Sequence, residues 1–194
     1  MQLPLVPLLE ARLIEPDGIV IDAKSGVSGA GRSAKLNLLY TEVAEGINAY
    51  GVGSHRHMPE IEQGLADAAG GGAAVRVSFT PHLMPMARGM LSTIYVSLTE
   101  GATADDLRAC LARRYAGERF VHVLEAGQAP HTRHVRGSNH ALISVHADRV
   151  RGRAIVLCAI DNLMKGASGQ AVQNLNLMMG WDEGLGLGAA AMFP

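Results

Sequence analysis

Apolar residues fall at helical spacing in four stretches of the chain and at strand spacing in six others. In the first stretch Leu5, Leu8, Leu9 and Leu13 share one face, which predicts a helix over 4–14. Gly18 opens a short apolar strand at 19–21, and a glycine- and serine-rich loop follows from Lys24 to Arg32. No clean period runs through 36–53, and that segment carries no assignment. Pro59 suits the first turn of a helix, where its missing N–H costs nothing, and Glu60 and Glu62 suit the positive end. Ile61, Leu65 and Ala68 repeat behind them, and Gly70-Gly71-Gly72 stop the helix. Val75, Val77 and Phe79 alternate in a strand over 74–79, and 90–98 is another. Thr103 caps a further helix, with Asp105 and Asp106 in its first turn, Arg113 and Arg114 in its last, and Gly117 beyond. Strands follow at 120–124, 140–146 and 153–160. A final helix runs over about 164–179, with Ala167, Ala171, Leu175 and Met178 on one stripe.

Several of these strands are consecutive rather than strictly alternating with helices. That order predicts an α+β fold, a mixed, largely antiparallel sheet with helices on one face. The strands from 75 to 160 are expected to form one sheet, with helices 58–69 and 103–115 covering one face through their apolar stripes. No repeat or low-complexity linker divides residues 1–194, and the length fits one domain.

Composition narrows the function. Hydrophobic residues make up 48% of the chain but aromatics only 4%, so the core must be built from Val, Ile, Leu, Ala and Met. With 17 basic against 18 acidic residues and no long basic run, a nucleic-acid partner is not expected. The apolar N-terminus is short and carries Glu10 and Arg12, which reads as neither a signal peptide nor a membrane span. Cys110 and Cys158 form no CxxC, and Cys158 lies in an apolar run where it acts as a small hydrophobe. A reducing cytoplasm is the expected compartment.

Five segments carry candidate chemistry. The loop 24–33 (KSGVSGAGRS) turns backbone N–H groups toward an anion and adds serine hydroxyls; it is either a ligand loop or a flexible connection. It mimics a nucleotide phosphate loop, but Arg32 stands where a compact lysine is required. Segment 50–60 (YGVGSHRHMPE) places two histidines at i, i+2, which suits an acid/base group better than a metal, since no third ligand is well placed. In 79–89 (FTPHLMPMARG) Arg88 could clamp a carboxylate or phosphate, and Arg136 in 134–139 (HVRGSN) could do the same. Each arginine taken alone reads more readily as a solvated loop or turn residue. Segment 160–171 (IDNLMKGASGQA) opens the last helix with small residues that either admit a flat ligand or merely pack tightly.

Taken together and in order, the blocks DAKSGVSGAGR (22–32), AYGVGSHRHMPEIEQ (49–63), FTPHLMPMARGMLSTIYV (79–96), VRGSN (135–139) and IDNLMKGASGQAVQNLNLMMG (160–180) resemble the N-acetyl-gamma-glutamyl-phosphate reductase family. That family is grouped with the glyceraldehyde-phosphate and aspartate-semialdehyde dehydrogenases. The resemblance implies an N-terminal Rossmann domain, then a catalytic α+β domain whose last helix, here 162–180, packs back on the Rossmann domain. It implies NADPH-dependent reduction of an acyl phosphate to a semialdehyde in arginine biosynthesis, through a cysteine thioester. It also implies a homo-oligomer formed through the uncovered sheet face.

Carried over by motif, His55 resembles the acid/base partner of the cysteine, and His57 and Glu60 the support of its pocket. Ser25, Gly26, Ser28, Gly29, Arg88 and Arg136 resemble substrate-pocket groups. Asn162, with Lys165, Gly166 and Gln170 nearby, resembles the contact to the nicotinamide. These 194 residues show neither a GxGxxG opening nor the Asn-Pro-Gly-Cys-type motif that precedes the first helix in the family, and Cys110 and Cys158 match no catalytic position. The expectation is a catalytic and dimerisation half, from a truncated gene or a start placed too late, that binds NADPH weakly and is inactive alone. Two other readings stay open: a non-catalytic oligomerisation or subunit-binding domain, and a carrier-linked acyl-phosphate reductase of lysine biosynthesis.

Overall fold

The structure, a computed structural model, describes residues 1–70 and 74–193. The glycine stop predicted at 70–72 therefore lies partly outside the described residues. The first helix, α1 (Gln2–Glu10), is shorter than the expected 4–14. It ends because Arg12 adopts a left-handed conformation, φ 54°. The Arg12 N–H then bonds the Leu9 carbonyl at 2.9 Å and the Leu13 N–H bonds that of Leu8 at 3.0 Å, the paired bonds of a Schellman end. Leu13 matched the helical period because such an end folds the following residue back over the last turn. Ile14 has already left to bridge Leu98. Pro7 sits inside α1 and cannot donate to the Leu3 carbonyl. The Tyr115 hydroxyl donates there instead at 2.5 Å, and burial pushes its pKa up to about 12.

β1 (Ile19–Gly26), β2 (Asn48–Ala49), β3 (Val77–Met84), β4 (Met90–Ser97), β5 (Val121–Val123), β6 (Ala141–Ala147) and β7 (Arg153–Ile160) form one sheet in the order β2-β3-β1-β4-β7-β6-β5. β1 runs parallel to β3 and β5 to β6; the other four pairs are antiparallel. The sheet is mixed and largely antiparallel as expected, but it reaches beyond 75–160, because β1 lies inside it.

β1 also runs five residues past the expected strand. Lys24 and Ser25 pair with Leu91 and Met90 of β4, so the predicted loop begins as ladder and leaves the strand only after Gly26. β3 likewise continues through Pro81, which the sequence placed in a bend. The Pro81 carbonyl accepts from the Tyr50 N–H on the side where β2 has just ended. The missing N–H points to that same edge, where no ladder bond is lost.

α1, α3 (Met58–Ala68) and α4 (Ala104–Arg114) cover one face, with α1 lying against both of the others. Leu5, Leu8, Leu65, Leu107 and Leu111 meet Ile19, Ile21, Ile94, Val96, Ile143 and Val156 there, all buried. Thr103 caps α4 as the sequence predicts, and the structure adds the reciprocal bond, the Asp106 carboxylate accepting the Thr103 N–H to complete a capping box. Cys110 and Cys158 are free, buried in this core, and burial raises both thiol pKa values.

The opposite face is half-covered. It carries Leu91, Tyr95, Leu142, Ile155 and Leu157, together with a charged cluster in which Lys24 and His82 lie 2.5 and 3.0 Å from Asp22.

The segment without a period folds as an excursion: a 3-10 turn at Leu36–Leu38, a single helical turn α2 (Tyr40–Val43), then β2. Leu36, Leu39, Tyr40 and Ile47 are exposed, so no face divides core from water and no period arises. The excursion flanks a cleft of about 580 Å³ lined by Val27, Leu38, Tyr40, Val43, Pro85 and Met86 among others.

The last helix turns its apolar stripe away from this domain. A π-helical turn at Met164–Ser168 leads into α5 (Gly169–Met178). Gly169, Gln173 and Asn176 face inward, while Ala167, Ala171, Leu175 and Met178 are exposed. The Gln173 Oε1 accepts from Asn139 Nδ2 at 3.0 Å and Lys165 Nζ at 2.8 Å. The Asn176 amide donates to the Glu183 and Leu185 carbonyls. Hydrogen bonds, rather than apolar burial, seat this helix.

Leu8→Ala, which empties a fully buried position between helices and sheet, is expected to destabilise the chain by about 2–5 kcal/mol. Leu175→Ala should change stability by no more than about 0.5 kcal/mol, because that side chain is half exposed. Urea unfolding of the two variants tests this; equal losses would contradict the outward stripe.

Candidate functional site

The ends of β1, β3, β4 and β7 meet at one side of the sheet, and most of the predicted site residues gather there. Gly26 leaves β1 with its N–H bonded to the Gly89 carbonyl at 2.8 Å. A Cβ at Gly26 would lie 2.8 Å from the Ala87 carbonyl oxygen, so only glycine fits. Val27 to Ala30 then make a 3-10 turn, fastened by the Ser28 N–H and Oγ, which both donate to the Ala87 carbonyl. Ser25 is buried, with its hydroxyl on the Gly26 carbonyl, and a Cβ at Gly29 would sit 3.0 Å from the Ser25 Oγ. The loop is thus docked on the 85–89 turn rather than flexible.

Asn162 joins the two. Its Oδ1 accepts from the Gly89 N–H at 2.7 Å and its Nδ2 donates to Ser28 Oγ at 2.9 Å. Gly89 has φ +111° and would clash with Thr132 if it carried a Cβ. Asp161 beside it is fully buried. Its Oδ1 accepts from the Leu163 and Met164 N–H groups at 2.8 and 3.0 Å and from Arg88 Nη2 at 3.2 Å. Its Oδ2 accepts from the Gly137 N–H at 2.6 Å and lies 2.9 Å from Arg88 Nε. Burial alone would raise this carboxyl's pKa. The Gly137, Leu163 and Met164 N–H groups and Arg88 outweigh burial and hold it below the usual carboxylate value.

Sequence reasoning missed Asp161. It stood inside a quoted motif, but a charged residue next to a predicted helix start carries no signal of burial. Arg88 was expected as an anion clamp and is engaged with Asp161 from two nitrogens. Arg136 follows the short 3-10 turn at Thr132–His134; its carbonyl accepts the Met192 N–H at 2.7 Å, and its side chain is half-buried.

The groups expected at the nicotinamide divide. Asn162 stays at the site, and the Gly166 N–H bonds the Asp161 carbonyl at 3.0 Å. Lys165 is buried and turned toward Gln173, with Nζ 5.7 Å from the Phe120 ring centre. Burial lowers its pKa, against the pull of Glu183 and Glu118. Gln170 bonds Asn174 one turn along α5. Neither therefore lies with Asn162.

His55 forms a second group. Its ring packs edge-on against Phe79, Tyr50 and His57 at 5.1, 5.4 and 4.9 Å. Gly51, φ +57°, lets the backbone pass under it, since a Cβ there would lie 3.1 Å from the ring. The His55 Nδ1 accepts the His57 backbone N–H at 3.2 Å, which leaves the proton of the neutral ring on Nε2. Burial, then the charges of His57 and Arg56, lower its pKa from the usual 6.5. His57 is exposed and serves through its backbone and ring edge. Glu60 offers its carbonyl to the Gln2 side chain at 3.1 Å, which sets the start of α1 beside the start of α3, just past His55 and His57.

Comparison with known proteins follows this geometry. A family described as "Semialdehyde dehydrogenase, dimerisation domain" matches residues 1–162. The chain is 63% identical over 193 residues to an N-acetyl-gamma-glutamyl-phosphate reductase of Rhodospirillum rubrum, covering 100% of this chain and 54% of that protein. It is 59% identical to a probable chloroplastic N-acetyl-gamma-glutamyl-phosphate reductase of Arabidopsis thaliana, covering 100% of this chain and 48% of that one. The chain thus spans about half the length of these curated relatives. The fold resembles aspartate semialdehyde dehydrogenase II of Vibrio cholerae, with TM-score 0.71 at 19% identity over 92% of this chain and 59% of that one. It also resembles the Francisella tularensis aspartate semialdehyde dehydrogenase, with TM-score 0.72 at 13% identity over 92% and 62%.

Gly26→Ala is expected to push the 85–89 turn off the loop and to destabilise the chain by about 1–3 kcal/mol. Gly46→Ala has room and no left-handed backbone, and should stay within about 0.5 kcal/mol of the parent. Thermal unfolding that ranks the two alike would remove the close-approach argument.

Proposed function

The chain belongs to the semialdehyde dehydrogenase dimerisation-domain family, and on that premise we propose that it supplies the acid/base and dimerisation half of an N-acetyl-gamma-glutamyl-phosphate reductase. The reaction is reduction of N-acetyl-glutamyl 5-phosphate to the 5-semialdehyde in arginine biosynthesis, in the cytoplasm. The observation that carries the reading is the assembly of four separated motifs around Asn162 and Asp161, joined with high identity to reductases along the whole chain.

His55 acts through Nε2. The His57 N–H occupies Nδ1, so Nε2–H is available to donate to a thiolate and to the oxygen that gathers charge when the carbonyl is attacked. The lowered pKa keeps the ring neutral at physiological pH. The start of α1 lies against α3 at Gln2 and Glu60, so residues joined ahead of Gln2 would enter beside His55. A thiol is the nucleophile of this reaction class, and Cys110 and Cys158 are buried, raised-pKa thiols unsuited to the task. The docked 25–29 loop and the Arg136 turn form the pocket for the acyl phosphate.

NADPH supplies the hydride when bound. Toward it this chain offers the remaining amide hydrogen of Asn162 and the opening at Gly166, while Lys165 and Gln170 do not fit that role as placed. The exposed apolar residues of α5, including Val172, Leu175 and Met178, suit docking of a dinucleotide-binding half. These 194 residues alone are expected to be inactive.

The test mixes the purified chain with the upstream half of the Rhodospirillum rubrum relative and follows NADPH oxidation with the acyl phosphate. Turnover should require both parts, and His55→Ala should lower kcat by roughly 10²–10⁴. In a proton NMR titration of the chain the His55 ring should gain its proton below the usual histidine value of 6.5, because burial and then the charges of His57 and Arg56 disfavour the charged ring. Turnover by the chain alone, or an unaffected His55→Ala mixture, would refute the assignment.

We further propose that the half-covered sheet face pairs with a second copy of the chain. Tyr95, Ile155 and Leu157 offer apolar area around the Asp22, Lys24 and His82 cluster. Sedimentation at tens of micromolar, on the order used to score stable dimers, should give a dimer that Leu157→Glu converts to monomer. A monomeric parent chain would overturn this.

A further inference from the structure

We propose that Asp161 is a positioning residue of the reductase site: its carboxylate aims Arg88 and, through the adjoining Asn162, sets the distance between the Ser25–Gly29 loop and the start of the last helix. The inference rests on the reductase reading for its catalytic consequence, but its geometry stands independently.

Three segments remote in sequence converge on the two oxygens. Arg88 comes from the β3–β4 turn, Gly137 from the turn before β6, and Leu163 and Met164 from the entry to the last helix. No part of Asp161 reaches solvent, so every bond that it loses must be replaced from within the protein. The Leu163 and Met164 N–H groups would otherwise be unsatisfied donors at a helix start. The next residue carries the effect outward: Asn162 accepts from Gly89 and donates to Ser28, whose N–H and Oγ lie on Ala87, one residue before Arg88. The chain of contacts thus closes on itself, from Asp161 to Arg88, Ala87, Ser28, Asn162 and back.

Such a ring has consequences for Arg88. With Nη2 donating to Asp161 Oδ1 and Nε held 2.9 Å from Oδ2 as an ion pair, its charge is largely compensated and its head is held in place. Arg88 then presents an oriented edge to the pocket rather than a free cation, and the site's preference among anions is set by geometry more than by net charge. Loss of the carboxylate would release both the arginine and the Asn162 anchor.

The experiment compares the parent chain with Asp161→Asn, which keeps shape and one acceptor for Leu163 and Met164, and with Arg88→Lys, which keeps charge but not the fork. In nitrogen-15 NMR spectra the guanidinium N–H groups of Arg88 should exchange slowly in the parent, where Nη2 is bonded to Asp161, and roughly tenfold or more faster in Asp161→Asn. The Gly89, Asn162 and Ser28 amide signals should move in both variants, while signals from β6 and α4 stay in place. Asp161→Glu should partly restore the Arg88 signal.

In the mixture with the upstream half, Asp161→Asn should lower kcat by about a hundredfold with a smaller change in KM, as expected for a displacement on the order of 1 Å at the reacting groups. If the parent mixture shows no turnover, the reductase reading fails while the spectra still decide the network. Unmoved Gly89 and Ser28 signals in Asp161→Asn, or an active mixture with unchanged kcat, would overturn the positioning role.

Discussion

A carboxylate removed from water must be fully bonded from within the protein, and Asp161 meets that condition with donors from three segments. This requirement organises the side of the sheet where the candidate site lies. It fixes the exit from β7, the entry to the last helix, the 135–137 turn and the direction of Arg88. Asn162 extends the same constraint to Gly89 and Ser28, so that a glycine-rich loop without regular periodicity has one defined position. The glycines matter here for close approach: Gly26 against the Ala87 carbonyl and Gly89 against Thr132 leave no volume for a side chain.

The rest of the molecule supports that site by a simpler rule. Three helices bury one face of a seven-stranded sheet, and the aliphatic core needs few aromatics, in keeping with the composition. The exceptions are informative. Pro7 would leave a helical carbonyl unsatisfied, and Tyr115 supplies the missing donor. Arg12 takes a left-handed conformation that glycine usually fills, because the turn must deliver Ile14 to Leu98. The His57 backbone N–H fixes the tautomer of His55, and Gly51 leaves room for its ring.

Among the described residues, two surfaces remain without a partner: the second face of the sheet and the outward stripe of α5. They differ in kind. The sheet face mixes aliphatic side chains with the Asp22, Lys24 and His82 cluster, whereas α5 presents Leu, Val and Met outward and is held by Gln173 and Asn176 inward. A helix inverted in this way is stable against its own domain through polar bonds and keeps its apolar side for another surface. Its sequence periodicity is genuine, but periodicity identifies a face without saying what that face meets.

The sequence by itself determined the number and kind of most elements, the Thr103 cap of α4, the β7 strand and the set of motifs around the site. These depend on local spacing and on residue types whose preferences act within a few positions. It also carried the family, because five motifs in order are legible without coordinates. Only the tertiary structure decided where β1 and β3 end, since ladder partners from distant strands extend them through residues that read as loop. Only the structure decided that Arg88 faces Asp161, that Lys165 turns toward Gln173 instead of joining Asn162, and that α5 shows its apolar stripe to the outside. Each of these depends on which group satisfies a buried polar atom, and hydrogen-bond partners brought together by the fold, whether 8 or 73 residues apart, leave no local trace in the order of amino acids.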